Sequence, residues 1–197
     1  MEELRLEEQF RDYAEKRGVP IIREQSHELL RDLVIKYNPK HILEIGTAVG
    51  YSGITMLESS EADLLTVEIN TESYHEALDN FEHVNMSERV KVVNADCSDF
   101  ILDLVTNENN LGKFDFIFLD GPKAQYLRLY PSLLELLSVG GVLVADNVLF
   151  RGYVENPKSA PRRFKTIYQR LKKFIELCET SGDFSYSTVS LALIIGR

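Results

Sequence analysis

Two stretches carry the residues best suited to chemistry. FIFLDGPKAQY, at 116 to 126, is an apolar run that stops at Asp120, turns on Gly121-Pro122 and resumes with Lys123. GVLVADNV, at 141 to 148, places Asp146 and Asn147 after a second apolar run. Asp120, Asp146 and Asn147 offer hard oxygen donors, two anionic and one neutral. Such a set suits Mg2+ or Mn2+, with water and substrate oxygens completing an octahedron. Lys123, three residues past a candidate ligand, could take a substrate proton, or hold the deprotonated oxygen, if a nearby cation lowered its pKa. The same Asp-Gly-Pro stretch also suits an ordinary surface turn. His27, His41, His75 and His83 are scattered without ligand spacing, so a histidine metal site is disfavoured.

Three more acids stand at the ends of β-rich runs: Glu44 in ILEIGTAVGYS, Glu68 in LLTVEIN and Asp96 in VVNAD. In an open parallel sheet, ligands bind beyond the carboxyl ends of the strands, so five such acids are expected to share one edge. The loop GTAVGYS matches neither the GxGxxG dinucleotide fingerprint nor a phosphate loop ending GK[ST]. Its glycines Gly46 and Gly50 would still let backbone approach a ligand. Glu68, 22 residues after Gly46, is placed to accept hydrogen bonds from both ribose hydroxyls, and Asp96 could reach an adenine amino group. A nucleoside without pyrophosphate, carrying a cationic amino acid or sulfonium, fits these acids, and S-adenosylmethionine has all of these features.

Positioning such residues requires alternating strands and helices. HILEI, DLLTVEI, RVKVVNA, FDFIFLD and GVLVADNV read as strands, with helices around 51 to 58, 71 to 84, 98 to 106 and 124 to 138. That alternation implies a parallel sheet covered by helices, and the runs FIFL and VLVA suit central strands buried on both faces. A helix at 162 to 179 and two strands, FSYSTVS and LALIIGR, able to pair antiparallel, complete the pattern. Ahead of the core, residues 3 to 17 show helical spacing and Gly18 can end that helix before the extended VPII. In a second helix Ser26 is the expected cap, Leu29, Leu30, Leu33 and Val34 form the stripe, and NPK at 38 to 40 is the stop.

At 197 residues and 44% hydrophobic, the chain suits a single domain over 1–197, with 1–38 a helical segment and 39–197 the core. No apolar run approaches the roughly 20 residues that span a bilayer, and the acidic N-terminus is unlike a signal peptide, so a cytoplasmic protein is expected. Cys97 and Cys178 form no CxxC pair and are expected as buried free thiols. The net charge of −9 argues against broad binding to nucleic acid. Yet residues 151 to 173 hold eight basic residues and one acid, a net +7 against −16 for the remainder. That segment reads either as a solvated helix face or as a phosphate-contacting patch.

Taken together, VPII, ILEIGTAVGYS, VEIN, NAD, FIFLDGPKAQY and ADNVLFRG resemble the cation-dependent O-methyltransferases related to catechol and caffeoyl-CoA methyltransferases. The resemblance runs over nearly the whole chain. YAEKRGVPI, KAQY and DNVLFRG are most similar to the bacterial members that methylate 5-hydroxyuridine in tRNA, although STVSLALIIGR lacks their Gly-Asp-Gly turn and DGPK stands where DAAK is more usual. The resemblance implies a Rossmann-like class I methyltransferase fold, a mostly parallel seven-stranded sheet with a C-terminal antiparallel hairpin and helices on both faces. It implies an S-adenosylmethionine pocket lined by Glu44, Gly46, Thr47, Ser52, Glu68, Asp96, Cys97 and Asp120, with Ile22 contributing from the N-terminal segment. Asp120, Asp146 and Asn147 would bind Mg2+ or Mn2+, and Lys123 with Asp120 would serve catalysis. Catechols and 5-hydroxyuridine both present vicinal oxygens, so the acceptor is either tRNA, met by the basic segment 151–173, or a small phenol. A non-catalytic nucleotide-binding module is the alternative of another class, and a homodimer through the N-terminal helices is compatible with the pattern.

Overall fold

The computed structural model describes residues 24–180, 185–189 and 192–196. The expected helix over 3–17, the VPII segment with Ile22, and the link between the last two strands lie outside the described residues. The chain divides into two compact units, one through Cys97 and one from Ser98.

The first unit contains α1 (Glu24–Tyr37), β1 (His41–Ile45), α2 (Tyr51–Glu58), β2 (Asp63–Glu68), α3 (Thr71–His83) and β3 (Val90–Asn94). In α1 the helical stripe Leu30, Leu33 and Val34 is buried. The helix stops where Asn38 turns to a φ of 44° and returns its N–H to Val34 O at 2.9 Å, just before Pro39. Ser26 is not its cap: it is the third residue of α1 and is buried. Its neighbour His27 joins α1 to α2, stacking on the Tyr51 ring at 4.9 Å with Nε2 2.7 Å from Thr55 Oγ1. Since the Thr55 hydroxyl donates to Tyr51 O, it accepts from His27, which fixes the proton on Nε2.

The three strands lie in the order β3-β2-β1, all parallel, with Ile45 opposite Val67 and Glu68 opposite Asn94. Their carboxyl ends therefore share one edge. Ile42, Leu43, Ile45, Leu64 and Val67 are buried in the sheet, and Phe81 of α3 is fully buried. Gly50 and Gly53 pass close to that ring. A Cβ on Gly53 would lie 2.8 Å from Phe81 Cζ and 2.9 Å from Leu64 Cδ2.

The second unit contains α4 (Cys97–Thr106), which begins at the boundary, then β4 (Phe114–Leu119), α5 (Tyr126–Leu136), β5 (Leu137–Ala145), α6 (Lys165–Thr180), β6 (Ser185–Val189) and β7 (Ala192–Gly196). Its strand order is β4-β5-β7-β6, with β4 and β5 parallel and β7 antiparallel to both β5 and β6. Two boundaries differ from the sequence expectation. β5 starts at Leu137, inside the span expected for the preceding helix, because Leu137 already pairs with Phe114 and the register slips before Val142 meets Phe116. Gly140, at a φ of 81°, lies within that irregularity. The helix expected from 162 begins at Lys165, after a 3-10 turn over Arg162–Phe164 that follows Pro161.

Tyr126, Tyr130 and Leu133 of α5 are buried, and the rings of Tyr126 and Tyr130 meet Phe174 of α6 edge-on at 5.7 and 5.4 Å. Neither cysteine is in a disulfide and both are buried, and burial pushes the Cys178 thiol up to about 11. No helix among the described residues is long and apolar enough to cross a membrane.

The close approach at Gly53 yields a test of packing. Gly53→Val should destabilise the protein by roughly 2 kcal/mol through overpacking against Phe81 and Leu64. Thermal unfolding measures this, and an unchanged midpoint would mean that the ring has room to move.

Candidate functional site

In the first unit the loop after β1 is tied down from beneath. Gly46, at a φ of 103° that favours glycine, and Thr47 both donate their N–H groups to Val67 O, at 3.1 and 3.2 Å. Glu44 is fully buried rather than set at the strand edge. Its carboxylate accepts from Ser52 Oγ at 2.5 Å and from Thr66 Oγ1 at 2.7 Å. Because the Thr66 hydroxyl donates to Glu44, the Thr47 hydroxyl donates to Thr66, over 2.6 Å. The chain Thr47, Thr66, Glu44, Ser52 thus secures the start of α2 to the sheet. Asn80 adds a side-chain bond from α3 to Val49 O at 2.8 Å. A Cβ on Gly50, at a φ of 90°, would lie 3.1 Å from Phe81 Cε2, so glycine lets the loop pass close to that ring.

Glu68 and Asp96 do stand at the carboxyl edge of this unit, both partly exposed. Glu68 Oε2 accepts the Ala48 N–H at 2.8 Å and Oε1 the Asn70 N–H at 2.8 Å, so its position is set by both flanking loops. A carboxylate has about four lone-pair sites, which leaves acceptor capacity for two hydroxyls. Asn94, absent from the sequence reading, holds the same loop through a bond to Glu68 O at 2.8 Å. Cys97 is buried at the first position of α4.

In the second unit, Leu119 stands opposite Ala145 in the parallel register, so Asp120 and Asp146 leave adjacent strands at the same level. The last backbone bond between the two strand ends runs from Asp146 N to Leu119 O at 3.0 Å. Beyond it the chain turns, through Gly121-Pro122 to a 3-10 turn over Lys123–Gln125, and through Asn147 at a φ of 53°. The structure brings together here Asp120, Lys123, Asp146 and Asn147. Lys123 Nζ donates to Asp120 Oδ1 at 2.5 Å and to Tyr126 Oη at 2.8 Å. Tyr126, whose side chain is fully buried, donates its hydroxyl to Leu119 O at 2.7 Å, with Asp146 O at 3.3 Å. The guanidinium of Arg170 on α6 holds the Lys123 turn by a bond to Ala124 O at 3.1 Å.

The protein's own groups set the charge on Lys123: burial alone would lower its pKa, but the oxygens of Tyr126 and Asp120 outweigh it, and the pKa is raised. Burial raises the Tyr126 phenol as well. The pair therefore stands as ammonium and neutral phenol. Tyr126 escaped the sequence reading because, with Leu129, Tyr130, Leu133 and Leu136, it follows the apolar spacing of a core-facing helix. The available signal was its place three residues after Lys123.

Asp120, Asp146 and Asn147 also suit a divalent cation on an observation of their own. Asn147 Oδ1 is buried and accepts no hydrogen bond, an arrangement that costs about 1–3 kcal/mol unless something positive meets it. Among the described residues no three His, Cys, Asp or Glu side chains gather in a metal-binding arrangement, so a site here depends on the amide.

The loop after Asn147 carries a cluster of rings. Phe150, Tyr153 and Phe164 meet at centroid distances of 5.3 to 5.9 Å, with Arg163 over the Phe164 ring at 4.8 Å and Arg151 at 6.0 Å. Arg151, Arg162 and Arg163 are exposed.

Comparison with known proteins agrees with this layout. Residues 1–181 match the family model described as O-methyltransferase. The chain is 30% identical over 145 residues to caffeoyl-CoA O-methyltransferase 1 of Arabidopsis thaliana, covering 73% of this chain and 56% of that protein. It is 32% identical over 135 residues to the caffeoyl-CoA O-methyltransferase of Pinus taeda, covering 68% and 52%. It thus spans little more than half the length of these relatives. In fold it is similar to the O-methyltransferase of Bacillus cereus in complex with SAH, with a TM-score of 0.84, 24% identity, and coverage of 100% and 93% of the two chains. The strands, their helices and the loops at their carboxyl ends are those of an α/β, Rossmann-like methyltransferase fold with a parallel sheet, and the chain belongs to the O-methyltransferase family.

Proposed function

We propose that the protein is an S-adenosylmethionine- and divalent-cation-dependent O-methyltransferase acting on a hydroxyl with an adjacent oxygen, and that its acceptor is 5-hydroxyuridine in tRNA. The observation that carries the reaction class is the edge formed by β4 and β5, where two carboxylates, an amide oxygen without a hydrogen bond and an ammonium converge. When bound, S-adenosylmethionine would supply an electrophilic methyl group, and Mg2+ or Mn2+ a Lewis acid that favours the ionised acceptor hydroxyl.

The chain's own residues then divide the work. Asp120, Asp146 and Asn147 would hold the cation, and Glu68, fixed by Ala48 and Asn70, would accept from the ribose hydroxyls. Asp96 would reach the adenine amino group. Two of the three Lys123 N–H donors are engaged by Asp120 and Tyr126, which leaves one for the acceptor oxygen. A cation held at Asp120 would lower the Lys123 pKa, so that Lys123 would take the proton of that oxygen or hold it once deprotonated.

Support for a polyanionic acceptor comes from the loop that follows Asn147. Arg151, Arg162 and Arg163 are exposed, make no ion pair with a described residue, and flank the rings of Phe150, Tyr153 and Phe164. Cations interleaved with aromatic rings suit phosphates and unstacked bases. The plant relatives, named as caffeoyl-CoA O-methyltransferases, favour a second reading in which the acceptor is a small phenol.

Two experiments test these readings. Asp146→Ala and EDTA should each reduce transfer of labelled methyl groups at least 100-fold while S-adenosylmethionine binding, followed by calorimetry, survives; full activity in either case removes the cation from the mechanism. Arg162→Glu with Arg163→Glu should lower methylation of tRNA about tenfold and flatten its salt dependence. Mass spectrometry of the nucleosides reads this out, and an unchanged rate on tRNA alongside efficient methylation of a catechol would select the small phenol.

A further inference from the structure

We propose that the Tyr126 hydroxyl is the positioning group that sets the spacing between Asp120, Lys123 and the Asp146-Asn147 pair. This rests on the reading of Asp120, Asp146 and Asn147 as cation ligands. The two carbonyls near the hydroxyl are not arbitrary backbone atoms. Leu119 C=O belongs to the peptide plane that launches Asp120, and Asp146 C=O to the plane that launches Asn147. Fixing those planes fixes the directions in which the two residues leave their strands. The strand ladder reaches only the first of these planes, through its last bond from Asp146 N to Leu119 O; the plane that launches Asn147 lies beyond it, where the backbone leaves extended geometry at once.

The hydroxyl also receives Lys123 Nζ at 2.8 Å, so three parts of the candidate site meet at one oxygen. That oxygen stands on a rigid support. Tyr126 is the first residue of α5, its side chain is fully buried, and Phe174 of α6 meets its ring edge-on at 5.7 Å. Groups behind metal ligands commonly alter metal affinity 10- to 100-fold when removed, by loosening ligand geometry and not by touching the ion. Tyr126 is a positioning residue in this sense, since its proton is directed at the two carbonyls and its oxygen accepts from the lysine.

Lys123 and Tyr126 consequently act on the cation in opposite directions. The lysine ammonium competes for Asp120 Oδ1, 2.5 Å away, whereas the tyrosine hydroxyl holds the acids in register. The fold should tolerate loss of the hydroxyl, because Leu119 O keeps its bond from Asp146 N.

The test is Mn2+ binding to the full chain by electron paramagnetic resonance, with thermal unfolding and calorimetric binding of S-adenosylhomocysteine in parallel. Tyr126→Phe should weaken Mn2+ binding about tenfold, with S-adenosylhomocysteine affinity and melting temperature near those of the unsubstituted protein. Lys123→Met should bind Mn2+ at least as tightly as the unsubstituted protein. Equal Mn2+ affinity for Tyr126→Phe and the unsubstituted protein would overturn the positioning role and leave the cation reading standing. Absence of Mn2+ binding by the unsubstituted protein would overturn both. Should Tyr126→Phe fail to fold, Lys123→Met decides, since a tenfold loss there would assign the spacing to the lysine and overturn the proposal.

Discussion

Parallel pairing at the ends of strands is the constraint on which the chemistry of this chain depends. A parallel ladder delivers neighbouring strands to one edge in the same direction, and there the backbone must leave the ladder with its polar groups still satisfied. In the second unit the register of Leu119 with Ala145 brings Asp120 and Asp146 out side by side. The first unit does the same for the loops after Ile45, Glu68 and Asn94. Each edge is then secured by a buried hydrogen-bonding group from elsewhere in the chain: the Glu44 carboxylate with Thr66 and Ser52 in one, the Tyr126 hydroxyl in the other.

These two anchors differ in energetic character. Glu44 is a fully buried acid, which would be costly without partners, and both of its oxygens accept from hydroxyls. Tyr126 is neutral and tolerates its apolar surroundings of Phe174 and the α5 stripe, with only its oxygen in need of satisfaction. A neutral anchor beside two carboxylates adds no further charge to an edge that already concentrates it.

Much of the architecture was legible in the residues themselves. HILEI is a strand over its full length, the helix at 51 to 58 has the expected limits, and Asp120 and Asp146 follow their strands directly. What escaped depended on distant partners. Glu44 looked like an edge residue because alternation along five residues cannot reveal Ser52 and Thr66 as its donors. That Gly50 and Gly53 pass against Phe81, some thirty residues on, was not visible in the loop itself. The helix-strand junction at Leu137 was hidden by the pairing with Phe114, a long-range contact that overrides local propensity.

Asn147 combines two demands that few side chains can meet together. Its backbone sits at a φ of 53°, where asparagine, aspartate and glycine are favoured, and its side chain presents a buried neutral oxygen. Glycine would satisfy the backbone and offer no oxygen; aspartate would satisfy both and add a third negative charge; glutamine would keep the amide but carry it on a longer stem that disfavours this backbone. Under the cation reading, then, asparagine is the residue that meets both demands without adding charge.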